Sequence, residues 1–168
     1  MLWPAERARL IGVYWRRRML NACRRSDLVQ TLFIERNSFS GARRTIELDP
    51  MVARKEFVDS ILNADFVLAP KGDGNYSNRF LEALNFGRIP VLLDTESVLP
   101  FEDTIEYEKI MVRVPMSEVA KTPDYIRDWY DRLTQEEWHE RQRLARQTFE
   151  AYLRQDSFFT RYFDRILA

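Results

Sequence analysis

The run Pro70-Lys71-Gly72-Asp73-Gly74-Asn75-Tyr76-Ser77-Asn78-Arg79 gathers the groups best suited to chemistry in this chain, and that chemistry is the holding of phosphate. The run follows an apolar strand pattern, Phe66 to Ala69, and leads into a helical pattern. Three of the five glycines, Gly72, Gly74 and Gly87, lie in or just after it. Glycine permits left-handed backbone and lets a ligand approach the main chain. The amino end of a helix presents unpaired N–H groups and a partial positive charge, which suits an anion. Lys71 and Arg79 add full charges, and an arginine can meet a phosphate with two parallel hydrogen bonds. Glu82 lies one turn beyond Asn78, placed to accept hydrogen bonds from a pair of ribose hydroxyls. Asp73 is the acid inside the loop, where capping the loop's own N–H groups is its simplest role.

Plainer readings exist for each feature. A glycine loop between strand and helix can be only a tight turn. Arg79 and Glu82, three apart on a helix, can be a surface ion pair worth less than about 1 kcal/mol. Two phosphate motifs can be tested directly. The Gly-x4-Gly-Lys-Ser/Thr pattern is absent. The dinucleotide pattern is nearly met: Gly72-Asp73-Gly74-Asn75-Tyr76-Ser77 is Gly-x-Gly-x-x-Ser, and Asp94 ends the next strand roughly 20 residues on, where a ribose-binding acid belongs. The helix is short, however, and the third glycine is missing.

The elements that must position these residues follow from periodicity. Residues 4–24 read as a helix, with Leu10, Val13, Tyr14, Leu20 and Cys23 on one side and arginines on the others. Residues 28–34 read as a strand ending at a polar loop, Glu35 to Arg44. Asp49-Pro50 is a helix start, and Ala53, Phe57 and Ile61 make its apolar stripe to about Asn63. Phe66 to Ala69 and Ile89 to Leu93 are continuous apolar runs, as in strands covered on both faces. Ser77 can cap the helix between them and Gly87 can end it. Residues 95–107 are irregular and Ile110 to Val114 is a further strand. From Thr122 onward the chain is helical and rich in aromatics. Strands alternating with helices imply a parallel sheet with right-handed crossovers. Ligands bind outside the carboxyl ends of such strands, where three polar loops emerge. The first holds Arg36, Asn37, Ser38 and Arg43, the second is residues 70–77, and the third holds Asp94, Thr95 and Glu96.

Composition bounds the rest. A chain of 168 residues, 45% hydrophobic and 13% aromatic, fits one globular domain. Zero net charge gives no broad reason to expect nucleic acid as a partner. The lone Cys23 excludes an internal disulfide and a multi-cysteine zinc site. The single His139 excludes a three-histidine metal site, and its charged run, Glu136 to Arg143, reads as solvated surface. No apolar run reaches the roughly 20 residues of a membrane span, and the amino end lacks a signal-peptide pattern.

The stretch Phe66-Val-Leu-Ala-Pro-Lys-Gly-Asp-Gly-Asn-Tyr-Ser-Asn-Arg-Phe-Leu-Glu-Ala-Leu-Asn-Phe-Gly-Arg-Ile-Pro-Val-Leu-Leu-Asp strongly resembles the exostosin family of glycosyltransferases. The likeness continues through Leu99-Pro100-Phe101 and Ile105, and backward through Phe57 and Ile61, covering roughly residues 30–115. It implies an α/β fold: a Rossmann-like parallel sheet flanked by helices, resembling the C-terminal half of a two-domain GT-B glycosyltransferase. The first strand of that half and the N-terminal acceptor domain are not found in the chain. Residues 1–168 are then one donor-binding domain, with a core at 28–115 and a helical segment at 122–168. The activity implied is transfer of a sugar from a nucleotide diphosphate donor, expected to be a uridine diphosphate sugar, to a glycan acceptor. By the resemblance, Gly72, Gly74, Tyr76 and Ser77 lie against the diphosphate, Arg79 pairs with it and Glu82 holds the ribose. Lys71, Asp73, Asn75 and Arg36 complete the expected set. Lys71 stands where the family pattern has arginine, which keeps the charge but loses the two-pronged geometry. No catalytic base is named, and neither a cofactor nor a metal is expected; no Asp-x-Asp sequence occurs. The implied location is the Golgi lumen for a eukaryotic protein, and the cytoplasm or membrane periphery for a bacterial one. A nicotinamide dinucleotide domain and a non-catalytic α/β interaction fragment remain alternatives.

Overall fold

The computed structural model describes residues 12–35, 49–72, 75 and 77–167. Of the expected site, Arg36, Asp73, Gly74 and Tyr76 lie outside the described residues, as do the start of the first helix and the loop 36–44. Helix α1 spans Gly12–Arg24 and buries Trp15, Met19 and Cys23 at helical spacing. Helix α2 spans Pro50–Leu62 and starts as its residue chemistry dictates. The Asp49 carboxylate accepts hydrogen bonds from the backbone N–H of Met51 at 2.8 Å and Val52 at 3.2 Å, while Pro50 opens the helix.

Three strands, β1 (Phe66–Ala69), β2 (Ile89–Asp94) and β3 (Val112–Pro115), form a parallel sheet in the order β1-β2-β3. The register pairs Phe66 with Ile89 and Val91 with Val112. Helix α3 (Asn78–Asn85) is the crossover from β1 to β2 and packs on both strands. It ends in a Schellman arrangement: Gly87 N–H donates to Leu84 O, Arg88 N–H donates to Ala83 O, and Gly87 takes φ +64°. Helix α4 spans Thr122–Tyr130, α5 spans Gln135–Thr148 and α6 spans Gln155–Leu167. Thr134 and Glu137 form a capping box at the start of α5.

Both sides of β1 are covered, which explains its unbroken apolar sequence. Val67 packs with Ile61 and Ala83. Phe66 meets Trp129 of α4 edge-on at 5.9 Å and Trp138 of α5 at 5.1 Å. The core thus draws on residues outside 28–115 as well, with Trp15, Met19 and Cys23 at one end and Trp138, Ala145 and Leu153 at the other. The sheet is α/β and flanked by helices, as expected.

Residues 28–34 do not form the expected strand. Leu28, Leu32 and Ile34 are about half exposed, at 46%, 52% and 47%, and only Val29 and Phe33 pack on the core. Val29 and Phe33 would share one face of a strand, but Thr31 between them is exposed, so no continuous inward face forms. The segment is instead held back against α1: the Arg24 guanidinium lies 5.6 Å over the Phe33 ring and pairs with Glu35. The last strand also starts two residues later than its apolar run. Ile110 closes a 3-10 turn at Tyr107–Lys109 before β3 begins. Helix α6 buries none of its side chains fully and exposes Phe159, Tyr162, Phe163, Ile166 and Leu167.

Candidate functional site

Two loops leave the carboxyl ends of β1 and β2 side by side, because adjacent parallel strands must end on the same edge. They are stitched together by reciprocal bonds. Asn75 Nδ2 donates to the carbonyl of Thr95 at 3.1 Å, and Thr95 Oγ1 donates to the carbonyl of Asn75 at 3.3 Å. Lys71, Asn75, Ser77, Thr95 and Ser97 line a small cleft between the loops, floored by Phe80 and Leu92. Ser77 occupies the N-cap position of α3 and is buried, yet its hydroxyl makes no capping bond. The cap expected from sequence is therefore right in position and wrong in its bond. The turn beyond β2 puts Glu96 at φ +60°, a conformation costly to a residue with a side chain, and Asp94 Oδ1 steadies it by accepting the Glu96 N–H at 2.9 Å.

Helix α3, which starts at the cleft with Ser77 and Phe80, carries Arg79 and Glu82; neither is among the residues lining the cleft. The Arg79 guanidinium stacks 4.3 Å above the Phe57 ring of α2, which fixes its plane without using its hydrogen-bond donors. Its Nε lies 3.7 Å from a Glu82 carboxylate oxygen. Both side chains are part-exposed, so this pair contributes well under about 1 kcal/mol and leaves each free to exchange partners. Partial burial lowers the Arg79 pKa below the ordinary arginine value; Glu82 opposes that shift and Arg16 adds to it. The guanidinium keeps its charge throughout the physiological range.

Arg16 was not legible as part of this region. The sequence places it among arginines on the outer faces of α1, yet it lies close enough to Arg79 to act on it electrostatically. The reason is Gly12, one turn earlier. Gly12 is buried against the loop: a side-chain carbon there would meet the Lys71 carbonyl oxygen at 3.0 Å and the Gly72 carbonyl more closely still. The signal available in the sequence was a glycine inside an amphipathic helix, which marks a close approach as readily as a helix defect.

Asp94, the acid of the dinucleotide pattern, is otherwise engaged. Arg113 of β3 lies 3.7 Å away and binds Glu102 at 2.9 Å through its other nitrogen. His139 is exposed on α5 with its Nε2 3.1 Å from Gln135 Nε2, and it is not among the residues lining the cleft. Among the described residues, no three His, Cys, Asp or Glu side chains gather as a metal site would require. Also among them, no helix is long and apolar enough to cross a membrane.

The sequence profile of the Exostosin GT47 domain matches residues 8–128, well over half of the chain. The chain belongs to the exostosin GT47 family of glycosyltransferases. The match includes α1, both site loops and α3, and stops within α4. Among curated relatives, an Exostosin-1 homolog of Caenorhabditis elegans is 31% identical over 101 residues, covering 60% of this chain and 25% of that protein. Exostosin-1 of Drosophila melanogaster is 38% identical over 74 residues, covering 44% of this chain and 10% of that protein. A probable beta-1,4-xylosyltransferase of Arabidopsis thaliana is 40% identical over 65 residues, covering 39% of this chain and 16% of that protein. The chain thus spans a quarter or less of these exostosin-family proteins' lengths. No solved structure matches it significantly.

Proposed function

We propose that this exostosin domain is the donor-binding part of a glycosyltransferase and holds a nucleotide diphosphate sugar, of the uridine diphosphate class, across the mouth of the cleft. One observation carries the reading. A loop at the carboxyl end of β1 and the helix behind it bring Arg79 and Glu82 together, and these two side chains are held only weakly to each other. Arg79 serves the diphosphate and Glu82 the ribose hydroxyls. Lys71, Gly72, Asn75 and Ser77 contribute charge, close backbone approach and hydroxyl or amide bonds around the phosphates; Asp73, Gly74, Tyr76 and Arg36 belong to the same proposed set. The leaving diphosphate would be stabilised by these fixed charges and dipoles, with no cation assigned to the task. The glycan acceptor and the general base would come from a region beyond this domain, consistent with the greater length of the relatives. Those relatives are animal and plant proteins, and the Golgi lumen is the compartment proposed for a member of that kind.

Calorimetry with uridine diphosphate and with a nicotinamide dinucleotide tests the reading. The uridine ligand should bind, and Glu82→Ala and Arg79→Ala should each weaken it at least tenfold. Unchanged affinity in both variants would refute the proposal. Binding of the nicotinamide dinucleotide, abolished by Asp94→Ala, would favour the rival; the engagement of Asp94 by Arg113 and by the Glu96 amide argues against it.

A further inference from the structure

We infer that α1 is part of the donor site, and that Arg16 supplies a second guanidinium to the diphosphate, facing Arg79 across the loop. This rests on the proposed donor-binding reading and extends it to a helix that the sequence assigns only to packing. The geometry starts at Gly12. Its Cα lies so near the Lys71–Gly72 backbone that no side chain fits between, so the first turn of α1 is seated directly on the loop. Buried Trp15, Met19 and Cys23 anchor the same helix in the core, which leaves little freedom to slide or rotate. Arg16 is four residues from Gly12, one turn along the same side of a helix. That register leaves Arg16, which is exposed, one turn from the contact of Gly12 with the loop.

Two like charges brought together on neighbouring elements are unfavourable unless something answers them. Glu82 answers Arg79 at 3.7 Å, a distance too long for a hydrogen bond. Arg16 faces no acid within its own helix, which contains none between Gly12 and Arg24. A diphosphate carries enough negative charge to satisfy both guanidiniums at once, and two forks approaching from α1 and α3 would grip it from two directions. Arg18 is placed differently: its guanidinium lies over the Tyr14 and Trp15 rings at 5.7 and 5.5 Å. Arg17, also exposed, is one residue round the helix from Arg16 and serves as the control.

The test uses the full chain and two probes, uridine diphosphate and the nucleoside uridine. Arg16→Ala should weaken uridine diphosphate roughly tenfold, equivalent to about 1.4 kcal/mol. Arg16→Glu should weaken it further, and Arg17→Ala should stay within twofold. Uridine should bind the parent and Arg16→Ala equally, because the arginine acts on phosphate and not on the base or ribose. A parent-like affinity for uridine diphosphate in Arg16→Ala, while Arg79→Ala loses it, would overturn the inference and leave the donor-binding proposal standing. Equal losses for uridine and its diphosphate would also overturn it, since they would show a structural role. A parent chain that binds no uridine diphosphate would overturn both readings.

Discussion

Replacing Gly12 by alanine sets two effects of opposite sign against each other. Within a helix, glycine is about 0.8–1.0 kcal/mol less favourable than alanine, so propensity alone makes the substitution stabilising. At this position the new methyl group would meet the Lys71 carbonyl oxygen at 3.0 Å and crowd the Gly72 carbonyl more severely. Both neighbours are backbone, so no rotamer change relieves the contact, and either α1 or the loop must move. Forcing a carbon into a filled space costs about 1–3 kcal/mol, and the severity here favours the upper part of that range. The balance is a net loss of about 1–2 kcal/mol, or a Tm lower by roughly 2–8 °C for a chain of this size. Urea and thermal unfolding, followed by circular dichroism and tryptophan fluorescence, will measure it, with Trp15 one turn away as a local reporter. Displacement of the loop should also weaken uridine diphosphate. A Gly12→Ala variant as stable as the parent, or more so, would show that α1 is not seated on the loop and would remove the geometric basis for placing Arg16 in the site.

Other outcomes follow from single contacts. Trp138→Ala removes the ring shared by Phe66, Trp129 and Tyr130 and should cost about 3–5 kcal/mol of unfolding free energy in denaturant titration. Thr95→Val keeps the shape but deletes the hydroxyl bond to the Asn75 carbonyl; amide exchange should speed up in residues 70–77, with a stability loss of only about 1 kcal/mol. Burial pushes the Cys23 thiol up to about 11 from an ordinary 9.0. The folded state therefore favours the protonated thiol; that preference is harmless below pH 9 and becomes a loss of stability as pH rises from 9 toward 11. Stability of the parent should fall more steeply than that of Cys23→Ala across this window, and alkylation at pH 8 should await unfolding. Gly87→Ala should destabilise α3, since φ +64° costs an L-residue about 1–2 kcal/mol; equal melting of variant and parent would contradict the Schellman ending.

The candidate site was legible where local chemistry decides conformation. Asp49-Pro50 could begin a helix well, Gly87 could readily end one, and apolar runs four and five residues long suited strands covered on both faces. Strand, loop and helix in that order then set the end of β1 and the start of α3 at the carboxyl edge of the sheet, with Arg79 and Glu82 in that helix. Expectations failed where the outcome depends on a distant neighbour. Residues 28–34 have strand-like composition, but Arg24 and Glu35 hold them along α1 and no ladder forms. Ser77 has the chemistry of a cap and stands at the cap position, yet its hydroxyl does not make the bond.

Sequence by itself thus determined the family likeness and the parallel α/β plan, because each is written in residues close together along the chain. Tertiary structure alone decided that Val67 and Phe66 are sheathed by different helices, that Asp94 is tied to Arg113, and that Gly12 seats α1 on the loop. These contacts reach as far as 72 residues along the chain, from Phe66 to Trp138, and helical or strand periodicity carries no record of which surface will fill a given face.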